Sequence, residues 1–270
     1  ERKKHSHATG ELNGLIFSIA RACKIIAKNI AMGARLDSMQ GERACQKTQE
    51  IMRGTLLNSG RIDRIMFSTS NEPLFPDEDT QTGKYLVLVD PLEGSDDLEV
   101  NASAGTVFSI FRVNEEEKHS TAKFLCSSNK QICAGYVIYG PVTMLVITVG
   151  DGTHGFTLDP TIGEFVFTHP NLFVAETADN FAINSANSRF WSPAIKRYVD
   201  ECIAGDSGSR GREFSMRWID SLVCETHRIL LRGGVFMNPM DGEVSRPGQA
   251  KLHYHANPIA MLIEQAGGVA

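Results

Sequence analysis

Nowhere does this sequence hold the roughly 20 consecutive apolar residues that a membrane-crossing helix needs. No signal peptide is expected from its start, ERKKHSHATG, which is charged and His-rich. No cysteines have CxxC spacing. The six cysteines, 23, 45, 126, 133, 202 and 224, are scattered, which suits a reducing cytoplasm better than a disulfide framework. There is no GxSxG and hence no nucleophile elbow. The glycines of GDGTHG (150–155) have no following helix, so they mark a strand turn and not a nucleotide loop. Basic charge is in deficit: the net charge is −5, which argues against a broad nucleic-acid-binding face. The ERKK patch at Glu1–Lys4 is read as a solvated terminus.

What is present is an ordinary globular composition over 270 residues, enough for one large α/β domain or two smaller ones. Leu12, Leu15, Ile16, Ile19, Cys23, Ile26, Ala27 and Ile30 form one apolar stripe at helical spacing, predicting a helix over 9–32. A weaker helix is expected over 42–58. RIMFS (64–68) reads as a short strand, KYLVLVD (84–90) as a strand buried on both faces, and GTVFSIFR (105–112) as another. ICAGYVIYG, VTMLVITV, HGFTLD and GEFVFTH, separated by Gly, Pro and Asp, predict an antiparallel meander. The polar stretch 113–130 reads as a mobile connection. Residues 220–231 read as a helix stopped by Gly233-Gly234. A final helix is expected with Asn257 as N-cap, Pro258 in its first turn and Gly267-Gly268 as its stop. The expected fold is α/β with stacked helix and sheet layers, divided into an N-terminal half (1–175) and a C-terminal half (176–270).

The chemistry concentrates in LVLVDPLEGSDDLEV. Asp90, Glu93, Asp96, Asp97 and Glu99 crowd together, and no Lys or Arg stands between Lys84 and Arg112. Two carboxylates about 4 Å apart repel by roughly 4 kcal/mol at an effective dielectric of 20. A divalent cation removes that cost, and carboxylate and carbonyl oxygens suit Mg²⁺ or Mn²⁺. Asp90 ends a buried strand, Pro91 turns the chain, and Gly94 frees the following amides to face a ligand. The alternative is a solvated acidic turn with Asp96 and Asp97 as caps. Among the histidines, His227 reads as a helix-packing residue, and His154 and His169 as loop residues. His253 and His255 read as pointing the same way from an extended stretch. Near Asp90 and Glu93 they would form a mixed site for Zn²⁺ or Mn²⁺.

DPLEGS resembles the D-P-[LI]-D-G-[ST] signature of the lithium-sensitive, metal-dependent phosphatases. The surrounding text, including AGYVIYGP, GFTLDPTIGEFVFTHP, MRWIDSLVCETHRILLRGGVFMNP and ANPIAMLIEQAGG, resembles class I fructose-1,6-bisphosphatases of the proteobacterial type. The likeness runs from about residue 10 to the end. It implies removal of the 1-phosphate of fructose 1,6-bisphosphate by Mg²⁺, or by Mn²⁺ or Zn²⁺, with a metal-activated water. It also implies a homo-oligomer, tetramer or dimer, that engages neither nucleic acid nor membrane. Asp90, the Leu92 carbonyl, Glu93, Glu72 and His255 fall at metal positions. Gly94, Ser95 and Asp96 would cradle the phosphate, and Glu42 would help position the water. Asn184, Arg217 and Lys251 match positions gripping the other phosphate and the sugar, Arg217 from a neighbouring subunit.

The departures from the family pattern lie in the site. FSTSNEPLF places Thr69-Ser70 or Asn71-Glu72 where two glutamates are usual. Glu93 replaces an Asp, Asp96 a Ser, His255 a Glu and Asn238 an aromatic residue, and Trp218 stands for Tyr. CQKTQEIM keeps only Glu50 as an acid, and KLHYHANP is two residues short. Together these point to a site retuned for another metal or ligand, such as a seven-carbon bisphosphate, or to a weakened relative that binds a sugar phosphate or a partner subunit. The resemblance also implies a further strand and helix after Ala270.

Overall fold

The structure, a computed structural model, describes residues 10–33, 41–70, 72–113, 131–239 and 251–270. The expected terminal patch at 1–4 and all but the first residue of the 113–130 connection lie outside the described residues, as does Asn71.

Helix α1 (Gly10–Met32) buries Leu12, Leu15, Ile19, Cys23 and Ile26, the stripe its periodicity dictates. Lys24, off that stripe, pairs with Glu164. Helix α2 (Gly41–Leu57) adds Ala44, Met52 and Leu56. Together they cover one face of an eight-stranded sheet ordered β2-β1-β3-β4-β5-β6-β7-β8. Its strands are β1 (Ile62–Phe67), β2 (Pro73–Leu74), β3 (Tyr85–Glu93), β4 (Ala104–Arg112), β5 (Gln131–Tyr139), β6 (Thr143–Thr148), β7 (Thr153–Asp159) and β8 (Glu164–Leu172). β1 and β3 are parallel; β5 to β8 form the expected antiparallel meander, and β3 and β4 extend it. His154 and His169, read from sequence as loop residues, stand in β7 and β8. Gly150 and Gly152 of GDGTHG make the β6–β7 turn at φ 90° and 80°, and Gly155 stands within β7.

Side chains alternate across β3 as strand geometry requires. Val87 and Val89 enter the α1/α2 core, whereas Leu86 and Leu88 pack with Met66, Phe111 and Tyr254 on the other side. That second face also carries Val107, Ala134, Tyr136 and Val146. They pack against α4 (Leu222–Arg232) and α5 (Asn257–Gln265) through Val223, Leu230, Leu262 and Ile263. α4 also touches the second sheet, which is parallel and ordered β10-β9-β11. Its strands are β9 (Asn180–Ile183), β10 (Ser215–Met216) and β11 (Val235–Met237). Helix α3 (Pro193–Ile203) packs Val199 and Cys202 on Phe181 and Ile183 of that sheet. The result is helix, sheet, helix, sheet, helix, the layered α/β fold expected from the sequence.

Two local expectations fail at the last helix. Residues Leu252–Ala256 are not extended but form a π-turn, with the amides of His255 and Ala256 both donating to the Lys251 carbonyl at 2.8 and 3.3 Å. α5 follows that turn directly, so Asn257 is already helical and caps nothing; its side chain meets His253 Nδ1 at 3.3 Å. Residues two apart on such a turn diverge, so His253 and His255 do not point the same way. Among the described residues no helix is long and apolar enough to cross a membrane.

Candidate functional site

Strand β3 carries Asp90 to the point where regular pairing with β4 breaks. Asp90 lies opposite Val107 and Glu93 opposite Gly105, so Pro91 and Leu92 together face Thr106. This bulge is anchored: Thr106 Oγ1 donates to the Pro91 carbonyl at 2.8 Å and also meets Tyr139 Oη at 2.8 Å. Gly94 then turns the chain at φ 75°, a left-handed conformation that favours glycine. Ser95–Val100 form a 3₁₀ turn in which Asp96 is exposed and Asp97 partly so, and neither is its N-cap.

Asp90 is buried at 8% exposure. Its Oδ2 meets His255 Nε2. The other ring nitrogen of His255, Nδ1, accepts the Lys251 backbone N–H at 3.0 Å, so the proton of the neutral ring belongs on Nε2 and points at Asp90. The Lys251 ammonium donates to the Ser68 carbonyl just past β1, and the Ser68 N–H donates to the Val89 carbonyl at 2.9 Å. One turn thus lays an imidazole and an ammonium over the ends of the parallel pair β1 and β3. Tyr254 Oη, next to His255 in sequence, is buried without a hydrogen-bond partner among the described residues. Burial and then the nearby Asp90 push its hydroxyl up to about 12. Cys45 on α2 is pushed up to about 11 by burial, then by Asp90 and Asp96.

Glu93 reaches away to the N-terminus of α4. Its carboxylate accepts from Ser221 Oγ at 2.7 Å, Leu222 N–H at 2.9 Å and Val223 N–H at 3.2 Å. Burial raises its pKa, opposed by those three donors, with Asp90 adding to the rise. The approach is close: a Cβ on Gly105 would meet Val223 Cγ1 at 2.7 Å. Glu93 therefore supplies the negative charge that a helix N-terminus favours.

The remaining expected residues are dispersed. Leu92 is buried. Glu42 is exposed in the first turn of α2, and Glu72 is exposed after β1. Asn184 spends its side-chain oxygen on the Ala186 N–H at 3.0 Å. Arg217 is exposed, its N–H donating to the Phe181 carbonyl at 2.9 Å, and the neighbouring Trp218 stacks on Phe236 with centroids 6.1 Å apart. Asp90 and His255 are brought together, but among the described residues no three His, Cys, Asp or Glu side chains gather closely enough to hold a metal. With Nε2–H as a donor and both Glu93 oxygens engaged, the donors as arranged do not fit a divalent cation. Ser221 and the α4 amides went unread in the sequence; the sign was Ser221 standing immediately before an apolar helical run.

Residues 1–170 match the family described as "Fructose-1-6-bisphosphatase, N-terminal domain" and residues 174–270 its C-terminal domain. The chain belongs to the fructose-1,6-bisphosphatase family. It is 47% identical over 285 aligned residues to a fructose-1,6-bisphosphatase class 1 of Methylibium petroleiphilum, covering all of this chain and 79% of that protein. It is 46% identical to one of Hydrogenophilus thermoluteolus, with the same coverage. Among solved structures, Leishmania major fructose-1,6-bisphosphatase in its holo form superposes with a TM-score of 0.85 at 31% identity, over 96% of this chain and 81% of that one. The apo form gives 0.87 at 30% identity, over 98% and 83%. The N-terminal match ends within β8, and the C-terminal match begins between β8 and β9.

Proposed function

We propose that this chain is a phosphoric monoester hydrolase that removes the 1-phosphate of fructose 1,6-bisphosphate to give fructose 6-phosphate. The observation that carries this reading is likeness over the whole chain, at 46–47% identity, to two proteins named for that activity. The strand end supports it with Asp90, a glycine turn and the start of the 3₁₀ turn that follows. In this reading Gly94, Ser95 and Asp96 face the phosphate undergoing cleavage. Asn184, Arg217 and Lys251 hold the remainder of the sugar phosphate, and Glu42 stands near the attacking water. The exposed Arg217 suits a role towards a neighbouring copy in a dimer or tetramer.

The test is phosphate release from fructose 1,6-bisphosphate with Mg²⁺, Mn²⁺ and Zn²⁺ in turn. Release that Asp90→Ala abolishes supports the proposal. No release with any of the three metals sinks it. A second reading, a relative that holds the sugar phosphate with little turnover, is favoured by the contact of His255 with Asp90. It requires that fructose 1,6-bisphosphate raise the melting temperature of the native chain without phosphate release.

A further inference from the structure

We infer that His255 and a divalent cation compete for the Asp90 carboxylate: the imidazole is a built-in occupant of the cation's place and not one of its ligands. The inference concerns occupancy of Asp90 and does not rest on turnover.

A buried carboxylate needs a partner, and one left without it is costly. Asp90 is buried, and its partner is the Nε2 of His255. A histidine binds a metal through a nitrogen lone pair. Neither ring nitrogen offers one here. The Nδ1 lone pair already accepts the Lys251 N–H at 3.0 Å, which leaves Nε2 to carry the hydrogen directed at Asp90. The ring is not free to reverse these roles, because the acceptor it would then need at Nδ1 is a backbone donor.

The π-turn makes the arrangement rigid. Two amides converge on the Lys251 carbonyl while the Lys251 amide returns to the His255 ring, so backbone and side chain close on each other within five residues. His255 itself is only 7% exposed. The Lys251 ammonium on Ser68 adds positive charge at the neighbouring strand end. Glu93, the nearest acid in sequence that could support a metal, has both oxygens committed to the α4 N-terminus. A cation that takes Asp90 Oδ2, alone or together with Oδ1, must displace the ring, and the hydrogen bond lost in that exchange is subtracted from its affinity.

The experiment is a Mn²⁺ titration of the full chain without substrate, read calorimetrically and by loss of the free-ion paramagnetic resonance signal. Native protein is compared with His255→Ala and His255→Glu, all checked for native circular dichroism. A hydrogen bond to a charged group corresponds to roughly a tenfold or larger change in affinity, so His255→Ala should bind Mn²⁺ at least about tenfold more tightly than the native chain. His255→Glu, which replaces a donor by an acceptor, should gain as well and serves if the alanine variant does not fold. Adding Asp90→Asn to either variant should remove the gain. Equal or weaker binding by both variants overturns the inference and makes His255 a ligand or a bystander. Absence of binding in every form overturns it too. Phosphate release is not measured here, so loss of the phosphatase proposal would show separately.

Discussion

Glu93 and Ser221 stand 128 positions apart in sequence and meet at 2.7 Å, carboxylate to hydroxyl, across the seam between β3 and α4. Ser221 also caps α4 in its own right, accepting from Cys224 N–H at 3.3 Å. The end of the signature strand is therefore fastened to the first turn of a helix from the C-terminal half. Truncating the acid leaves two backbone donors and a hydroxyl without their partner. Glu93→Ala should lower stability by about 1–3 kcal/mol, seen as a lower urea midpoint with little change in slope. Glu93→Asp, one methylene shorter, should fall between the two. A midpoint unchanged in Glu93→Ala would contradict the capping role.

Glu225 lies one turn into the same helix and is fully buried at 0% exposure. It holds Arg228 through contacts of 2.9 and 2.7 Å and accepts the Ile219 N–H at 2.9 Å. Removing one member of a buried pair strands the other charge, which costs about 3–5 kcal/mol. Glu225→Ala should lose stability on that scale in urea unfolding. Because Ile219 belongs to the segment bearing Arg217 and Trp218, the same variant should raise KM for fructose 1,6-bisphosphate more than it lowers kcat. Equal stability of variant and native chain would refute this account.

Tyr136 and His227 join β5 to α4, with the hydroxyl 2.9 Å from Nδ1 and the rings edge to face at 6.0 Å. Burial, and then His169, hold the imidazole down to about 4. An unfolded histidine titrates near 6.5. Between those values the unfolded chain takes up the proton and the folded chain does not, so acid favours unfolding. The stabilisation is complete above about pH 6.5 and declines as the pH falls towards about 4. In urea titrations at about pH 7 and about pH 4.5, native protein should lose more stability than His227→Gln over the same interval. A parallel loss in both would remove His227 from the cause.

Much of the architecture was legible because burial imposes periods. The stripe of α1, the doubly buried β3 and the meander are each dictated by local spacing that nothing distant overrides. The position of Asp90 followed from the same logic, as a polar residue ending an apolar run before a proline. The direction of Glu93 did not, since it depends on three donors that only the folded chain brings near. The stretch LHYHA misled for a different reason. Five residues are too few to display a period, and a turn closed by amides five and four residues on leaves no alternation to detect. Asn257-Pro258 carried a sound capping pattern, but the turn before it had already supplied the helix with its entry.

The bulge after Asp90 settles a matter of odd and even. Residues three apart on an unbroken strand project to opposite sides of the sheet, so the two acids of DPLEGS should be separated by the whole thickness of that layer. Because Pro91 and Leu92 share a single opposing residue, the count slips by one, and both acids emerge towards α4 and α5. Regular pairing restored without shortening the motif would leave every acidic group in place and still send the second one to the far side, among the side chains of α1 and α2. The spelling of the motif is thus also a count, and the spacing between its acids carries as much of the chemistry as the acids themselves.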